Sequence, residues 1–254
     1  MSMDQNNHLF NFLLRVADTN LITAQRLSEW TGHGPFLEED LALTNISLDL
    51  LGTARSIYDY ASKVEGKNRT EDDLAFLRGE RDFFNPLICE LPKGDYAFTI
   101  ARQFFLDAFQ VPFYTELLKS KDETVSGIAA KALKESTYHL RHTSSWVERF
   151  GLGTQESHTR LQEAVNELWR FTDDILTFHE GYEYLVNEGL TPDLASIKQS
   201  WKNKVDAVFL IAEINIPENA FMQHGSLKGV HTEHLGYLLT EMQYLQRTYP
   251  GARW

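Results

Sequence analysis

The sequence predicts an all-α fold, a bundle of long helices, on three observations. Proline and glycine are sparse, 7 and 15 among 254 residues, and long stretches contain neither. Few points therefore interrupt regular structure. Apolar residues recur three and four positions apart, the period of a helix face, rather than alternating as in strands. No Gly-rich phosphate loop follows a strand-like run, and no repeat, low-complexity stretch or linker divides the chain. A single helical domain over residues 1–254 is expected.

The elements follow in order. A first helix carries Glu29. Residues 38–63, EEDLALTNISLDLLGTARSIYDYASK, open with acids, which the helix dipole favours, and place Leu41, Leu48, Leu51 and Ile57 near helical spacing. Breaks near 64–70 and 84–95 read as loops. Residues 96–119 form a long apolar helix that Pro112 is expected to kink or divide. Residues 123–150 form the next, closed by Gly151. Residues 158–177 put Leu161, Val165, Leu168, Trp169 and Leu176 on one face. Thr191-Pro192-Asp193 suits a helix start, with Thr as N-cap and Pro first in the helix, running to about Ile214. The last helix covers His234 to Arg247.

Charge and cysteine usage exclude some function classes. Lys+Arg total 24 and Asp+Glu 36, so the net charge is −12. That balance speaks against non-specific binding to nucleic acid or to an anionic membrane surface. The one cysteine, Cys89, permits no intrachain disulfide and has no His or basic residue close by in sequence, so it reads as a packing residue. The N-terminal stretch lacks a basic leader, and its apolar run is short and interrupted. A soluble, cytoplasmic protein is expected.

Chemistry concentrates in residues 134–146, KESTYHLRHTSSW. The positions Ile128, Ala132, Glu135, His139, His142 and Trp146 are spaced 4, 3, 4, 3 and 4, and are expected to face the bundle interior. In helical bundles, a di-iron centre takes a Glu from each of two helices and a Glu-x-x-His from each of the other two. Residues three apart share a helix face and can reach one metal. The ligand count falls short here. Ser136 stands three before His139, and Tyr138 three after Glu135. Asp49 is followed three on by Gly52, and Glu-x-x-His occurs nowhere. Glu29 and Asp107 could supply single carboxylates. The favoured expectation is that Glu135, His139 and Asp49 form a buried polar network in the space of a lost site, with no metal and no catalytic residue in this chain. Two alternatives stand beside it. One is an active di-iron or mono-metal oxygenase using Glu29, Asp49, Asp107, Glu135 and His139. The other is a metal-free helical enzyme using Glu135 and Tyr138 for acid–base work.

A second group is HTEHLG (231–236), with His231 and His234 three apart and His224 nearby. Histidine clusters can bind zinc, but no cysteine accompanies this one. Gly225 and Gly229 suggest a loop feeding a helix, in which His231 or Thr232 caps and Glu233 favours the dipole. The expectation is a packed polar loop that helps form an interface. The chain's 16 Phe, 10 Tyr and 5 Trp are expected mostly in the core, with exposed ones as interface anchors.

Extended stretches carry a resemblance. AQRLSEWTGHGPFLEEDLALTNISLDLLGTAR (24–55), RGERDFFN (78–85), TIARQFFLDAF (99–109), KESTYHLRH (134–142), NELWRFT (166–172) and GVHTEHLGYLLTEMQYLQRTYPG (229–251) occur in order along nearly the whole chain. Together they resemble the C-subunit family of the ring 1,2-phenylacetyl-CoA epoxidase, a phenylacetic acid degradation protein family of aerobic phenylacetate catabolism. The resemblance implies a ferritin-like helical bundle. It also implies a division of labour within a monooxygenase complex. The catalytic A subunit holds the di-iron centre and binds the CoA thioester, while the C subunit pairs with it and has lost its metal. Against the catalytic subunit's Glu-x-x-His, the histidine falls on His139 and the glutamate on Ser136. Asp49 and Gly52 stand where another ligand pair would be. The implied partners are the A subunit and other subunits of the complex, with self-association, and with neither nucleic acid nor membrane.

Overall fold

In the computed structural model, which describes residues 3–252, all regular structure is helical and no strand occurs among them. The fold is all-α, built from long helix hairpins of the kind that make ferritin-like bundles. Contacts cluster into two compact units. One comprises Met1–Pro92, Phe178–Leu185 and Gly225–Trp254, the other Lys93–Thr177 and Val186–His224.

The first unit is built on α1 (Met3–Ser28) and α2 (Leu37–Glu65). They run antiparallel: the Ser47 hydroxyl donates to the Ala24 carbonyl at 2.9 Å, and Tyr58 reaches back to Asp18. Three acids, Glu38, Glu39 and Asp40, occupy the first turn of α2, and Gly66 ends it in the left-handed conformation at φ 68°. The buried face of α2 is Leu43, Ile46, Leu50, Ala54, Ile57 and Ala61. This corrects the expected face: Leu41 and Leu48 are 53% and 59% exposed. They lie on the far side of the helix from Leu43 and Leu50, and α2 presents leucines on both sides. Each buried Leu or Ile contributes roughly 1.5–3 kcal/mol relative to exposure.

The break predicted at 64–70 is followed by a short helix, α3 (Glu71–Phe76), closed at its start by a Thr70–Asp73 capping box. The unit's C-terminal helix, α10 (Glu233–Thr248), begins at Thr232, whose hydroxyl accepts from the His234 amide. Thr232 is the cap and Glu233 lies in the first turn, as the HTEHLG pattern implied.

The second unit is built on α4 (Tyr96–Leu117) and α5 (Glu123–Gly151), started by the Asp95 and Asp122 side chains. They too are antiparallel, since Ser136 meets Gln110 and Thr143 meets Asp107. Pro112 lies inside α4, which runs through it undivided. Gly151 belongs to the last turn of α5 rather than following it. A Cβ there would lie 2.1 Å from the Ala212 carbonyl oxygen, so glycine permits a close backbone approach. The region 158–177 is α6 (Gln155–Leu168), a 3₁₀ turn, and α7 (Thr172–Ile175), not one helix. After α8 (Tyr182–Glu188), α9 (Leu194–Ala212) is capped by Asp193, which accepts from the Ala195 amide at 3.2 Å. Thr191 is buried one residue before Pro192 and does not cap. The aspartate sits next to the first helical residue, so its oxygen is the one that reaches the open amides.

The α5 stripe is also corrected. The buried positions are Val125, Ala129, Ala132, Ser136, His139, Thr143 and Val147, while Ile128, Glu135, His142 and Trp146 are only partly buried. The true stripe is made mostly of small side chains, with Ser136, His139 and Thr143 its polar members, so the expected pattern pointed about one residue off axis. No helix among the described residues is long and apolar enough to cross a membrane.

Candidate functional site

In the second unit, α4 and α5 bring together a polar seam. Gln103, Asp107 and Gln110 are spaced four and three apart on α4, and Ser136, His139 and Thr143 three and four apart on α5. All six are 2% exposed or less. Gln103 Nε2 donates to Asp107 Oδ1 at 2.7 Å, and Thr143 Oγ1 donates to Asp107 Oδ2 at 2.9 Å. Ser136 Oγ donates to Gln110 Oε1 at 3.3 Å. Burial raises the Asp107 pKa to about 7, and the two neutral donors only partly offset it. Gln103 Oε1 and Gln110 Nε2 have no hydrogen-bond partner.

Three of the six predicted metal-site residues, Asp107, Ser136 and His139, meet in this seam. The others do not. Glu135, predicted to be buried, has a side chain 21% exposed and 3.6 Å from Lys131. Glu29 lies just past α1, exposed, with Arg26 Nη1 at 2.6 Å. Asp49 is partly exposed on α2, three residues from Gly52. Glu29 and Asp49 both belong to the first unit. Among the described residues, no group of three or more His, Cys, Asp or Glu side chains is placed to hold a metal ion. One buried carboxyl, one imidazole and a set of amides and hydroxyls do not supply the bridging carboxylates a di-iron centre needs, so the residues of this seam do not fit one.

The histidines of the C-terminal region fall in different units. His224 faces Asp173 at 3.4 Å in the second unit, while His231 and His234 belong to the first. His231 is fully buried against Glu90, at 2.5 Å. It forms an ion pair, and no metal cluster arises there among the described residues. Glu233 is exposed.

A second buried network was not anticipated. Asp18 of α1 is 0% exposed, and Arg78 holds both its carboxylate oxygens while Tyr58 and the Phe84 amide also donate to it. Burial, followed by the Asp18 charge, pushes the Tyr58 phenol well above its ordinary value. For Arg78, burial opposes the charge, but Asp18 outweighs it and the guanidinium is held charged more firmly than usual. Arg15 donates to the Phe84 carbonyl and to Ser226 Oγ at 2.8 Å. His179 packs edge-on to Phe84, and burial with the Arg15 charge lowers its pKa to about 4. Beside this network lies a cavity of about 630 Å³ bordered by Phe10, Leu14, Arg69, Arg78 and Phe84. The sequence signal was Arg15 and Asp18, three apart inside the apolar run LFNFLLRVADTNLI. Charges buried in such a run must be paired.

The family model described as phenylacetic acid catabolic protein matches residues 1–254. The chain is 47% identical over 248 residues to the C subunit of the 1,2-phenylacetyl-CoA epoxidase of Escherichia coli (strain K12), covering 98% of this chain and 100% of that protein. A match over the whole chain, carried by an all-α structure of long helix hairpins, shows that the protein belongs to the phenylacetic acid catabolic protein family.

Proposed function

We propose that this chain is a supporting, non-catalytic subunit of a cytoplasmic phenylacetyl-CoA epoxidase, paired with an A subunit that holds the di-iron centre. One observation carries the reading. Where α4 and α5 would have to supply Glu and Glu-x-x-His, they supply Asp107, Ser136 and His139, with Asp107 taken up by Gln103 and Thr143. The seam then has the character of a degenerate metal site retained as a polar contact between helices. Glu135 stands by Lys131, Glu29 is paired with Arg26, and no group of three His, Cys, Asp or Glu among the described residues is placed to hold a metal, which weighs against an oxygenase in this chain. The E. coli relative is named as one subunit of an epoxidase, and the same assembly follows for this chain by family membership. Exposed leucines on α2, Leu37, Leu41 and Leu48, offer apolar surface for association with other subunits or with a second copy.

The test is reconstitution with the cognate A subunit. Epoxidation of phenylacetyl-CoA should require both chains, with iron found in the A subunit after separation. Two irons per molecule of this chain purified alone, or full epoxidation without it, would overturn the reading.

A further inference from the structure

The HTEHLG segment holds a buried ion pair that the proposed function does not use. The side chains of Glu90 and His231 are both 0% exposed. Glu90 Oε1 accepts from His231 Nδ1 at 2.5 Å and from Asn85 Nδ2 at 3.0 Å. Oε2 accepts from the Thr232 amide and hydroxyl, each at 2.7 Å. Three donors besides the ring converge on this carboxylate, the acceptor-only form of the group. On the other side of the ring, His231 Nε2 is 2.9 Å from the Phe83 carbonyl oxygen. A carboxylate and a carbonyl can only accept, so both ring nitrogens carry hydrogens and His231 is an imidazolium.

The surroundings reinforce that state. Glu80 adds a second negative charge. Arg26 of α1 donates to the Glu90 and His234 backbone carbonyls and is itself paired with Glu29. The loop is closely seated: a Cβ on Gly229 would lie 2.4 Å from the Arg81 carbonyl oxygen.

We propose that Glu90 and His231 form a proton-dependent clasp that fastens the 225–232 loop and the first turn of α10 to the 83–90 turn, and that opens when His231 loses its proton. Deprotonation at Nε2 would set a lone pair against the Phe83 carbonyl and leave Glu90 buried without its counter-charge. The far end of α10 is held by groups that do not titrate near neutrality. Gln243 Nε2 donates to the Ala75 and Arg78 carbonyls, and Arg247 to those of Phe76, Leu77 and Arg78. Release is therefore confined to the N-terminal end of the helix.

Burial alone would lower the His231 pKa, but the Glu90 hydrogen bond and charge, with the Phe83 carbonyl, outweigh it and raise the value above 6.5. A raised folded value stabilises fully below the unfolded one. The clasp is thus intact in mild acid and is lost as pH rises through the raised value.

The test is an NMR titration of the His231 ring together with hydrogen–deuterium exchange of the full chain from pH 6 to 9, corrected for intrinsic exchange. Protection of residues 225–238 should fall by about tenfold for each unit by which the folded pKa exceeds the ordinary one. Peptides from α1, α2 and residues 239–248 should keep theirs, and His231→Gln should abolish the step. A His231 pKa at or below 6.5 in the wild type would overturn the proposal. So would unchanged protection of 225–238 through its titration, or simultaneous loss of protection in α1 and α2.

Discussion

Asp18 and Asp107 occupy comparable places, each fully buried on a long helix that packs against an antiparallel partner. Their chemistry is opposite. Asp18 is met by the Arg78 guanidinium, a phenol and a backbone amide, so it stays charged inside the first unit. Asp107 is met by an amide and a hydroxyl, and no cation counts among the groups that bear on it. Burial alone raises its pKa to about 7. A buried carboxyl is stabilised either by a matched charge or by keeping its proton. The first unit uses one solution and the second the other.

The largest effect is expected where the matched charge is removed. Arg78→Met leaves Asp18 buried without compensation and should cost about 3–5 kcal/mol in urea unfolding. The double change Asp18→Leu with Arg78→Met should recover most of that loss. If the single change costs under about 1 kcal/mol, Asp18 is not charged in the folded protein and the contrast collapses.

Asp107→Asn should do the reverse and stabilise. Its folded pKa of about 7 lies above the ordinary 3.8. A raised value contributes stability that is complete below the unfolded pKa and lost as pH rises through the folded one. At ~1.36 kcal/mol per pKa unit, the ionised carboxyl costs up to ~4 kcal/mol in alkaline solution. The Asn amide can donate to the open Gln103 Oε1, and Thr143 keeps the His139 carbonyl as acceptor at 3.0 Å. A gain of roughly 1–3 kcal/mol is expected at pH 8.5, shrinking toward pH 5. A pH-independent difference would show that Asp107 is not neutral in the seam.

The seam also separates stability from turnover. His139→Leu should change the stability of this chain by about 1–3 kcal/mol. Epoxidation by the reconstituted complex should stay within a few-fold of wild type. A loss of hundred-fold or so in kcat, with full assembly and full iron in the partner, would be the mark of a metal ligand or its support.

The smallest effect belongs to Glu135→Ala. Its side chain is 21% exposed and stands 3.6 Å from the exposed Lys131, a solvent-screened pair, so the change should cost no more than ~1 kcal/mol in thermal unfolding. A larger loss would place Glu135 in the seam after all.

Much of this was written in the chain. The all-α class follows from sparse breakers and a helical period, and the helices at 96–119, 123–150 and 234–247 lie within a few residues of those observed. The absence of a di-iron ligand spacing is also legible, because ligand spacing is a local property of one helix: Ser136 before His139 and Gly52 after Asp49 can be read directly. Which side of a helix turns inward is not local. α2 carries leucines on both sides, and only packing against α1 selected Leu43 and Leu50 over Leu41 and Leu48. In α5, alanine, serine and threonine line the buried side because α4 approaches closely there, and small residues leave little apolar signal. Pairings across long sequence separations were equally out of reach. Arg78 meets Asp18 sixty positions away, and His231 meets Glu90 after 141. The sequence alone determined that the chain is helical and that it lacks the local spacing of a di-iron ligand set. Tertiary structure decided which buried charges find partners, because a charge is matched by whatever the fold brings within a few ångströms, and no periodicity along the chain encodes that distance.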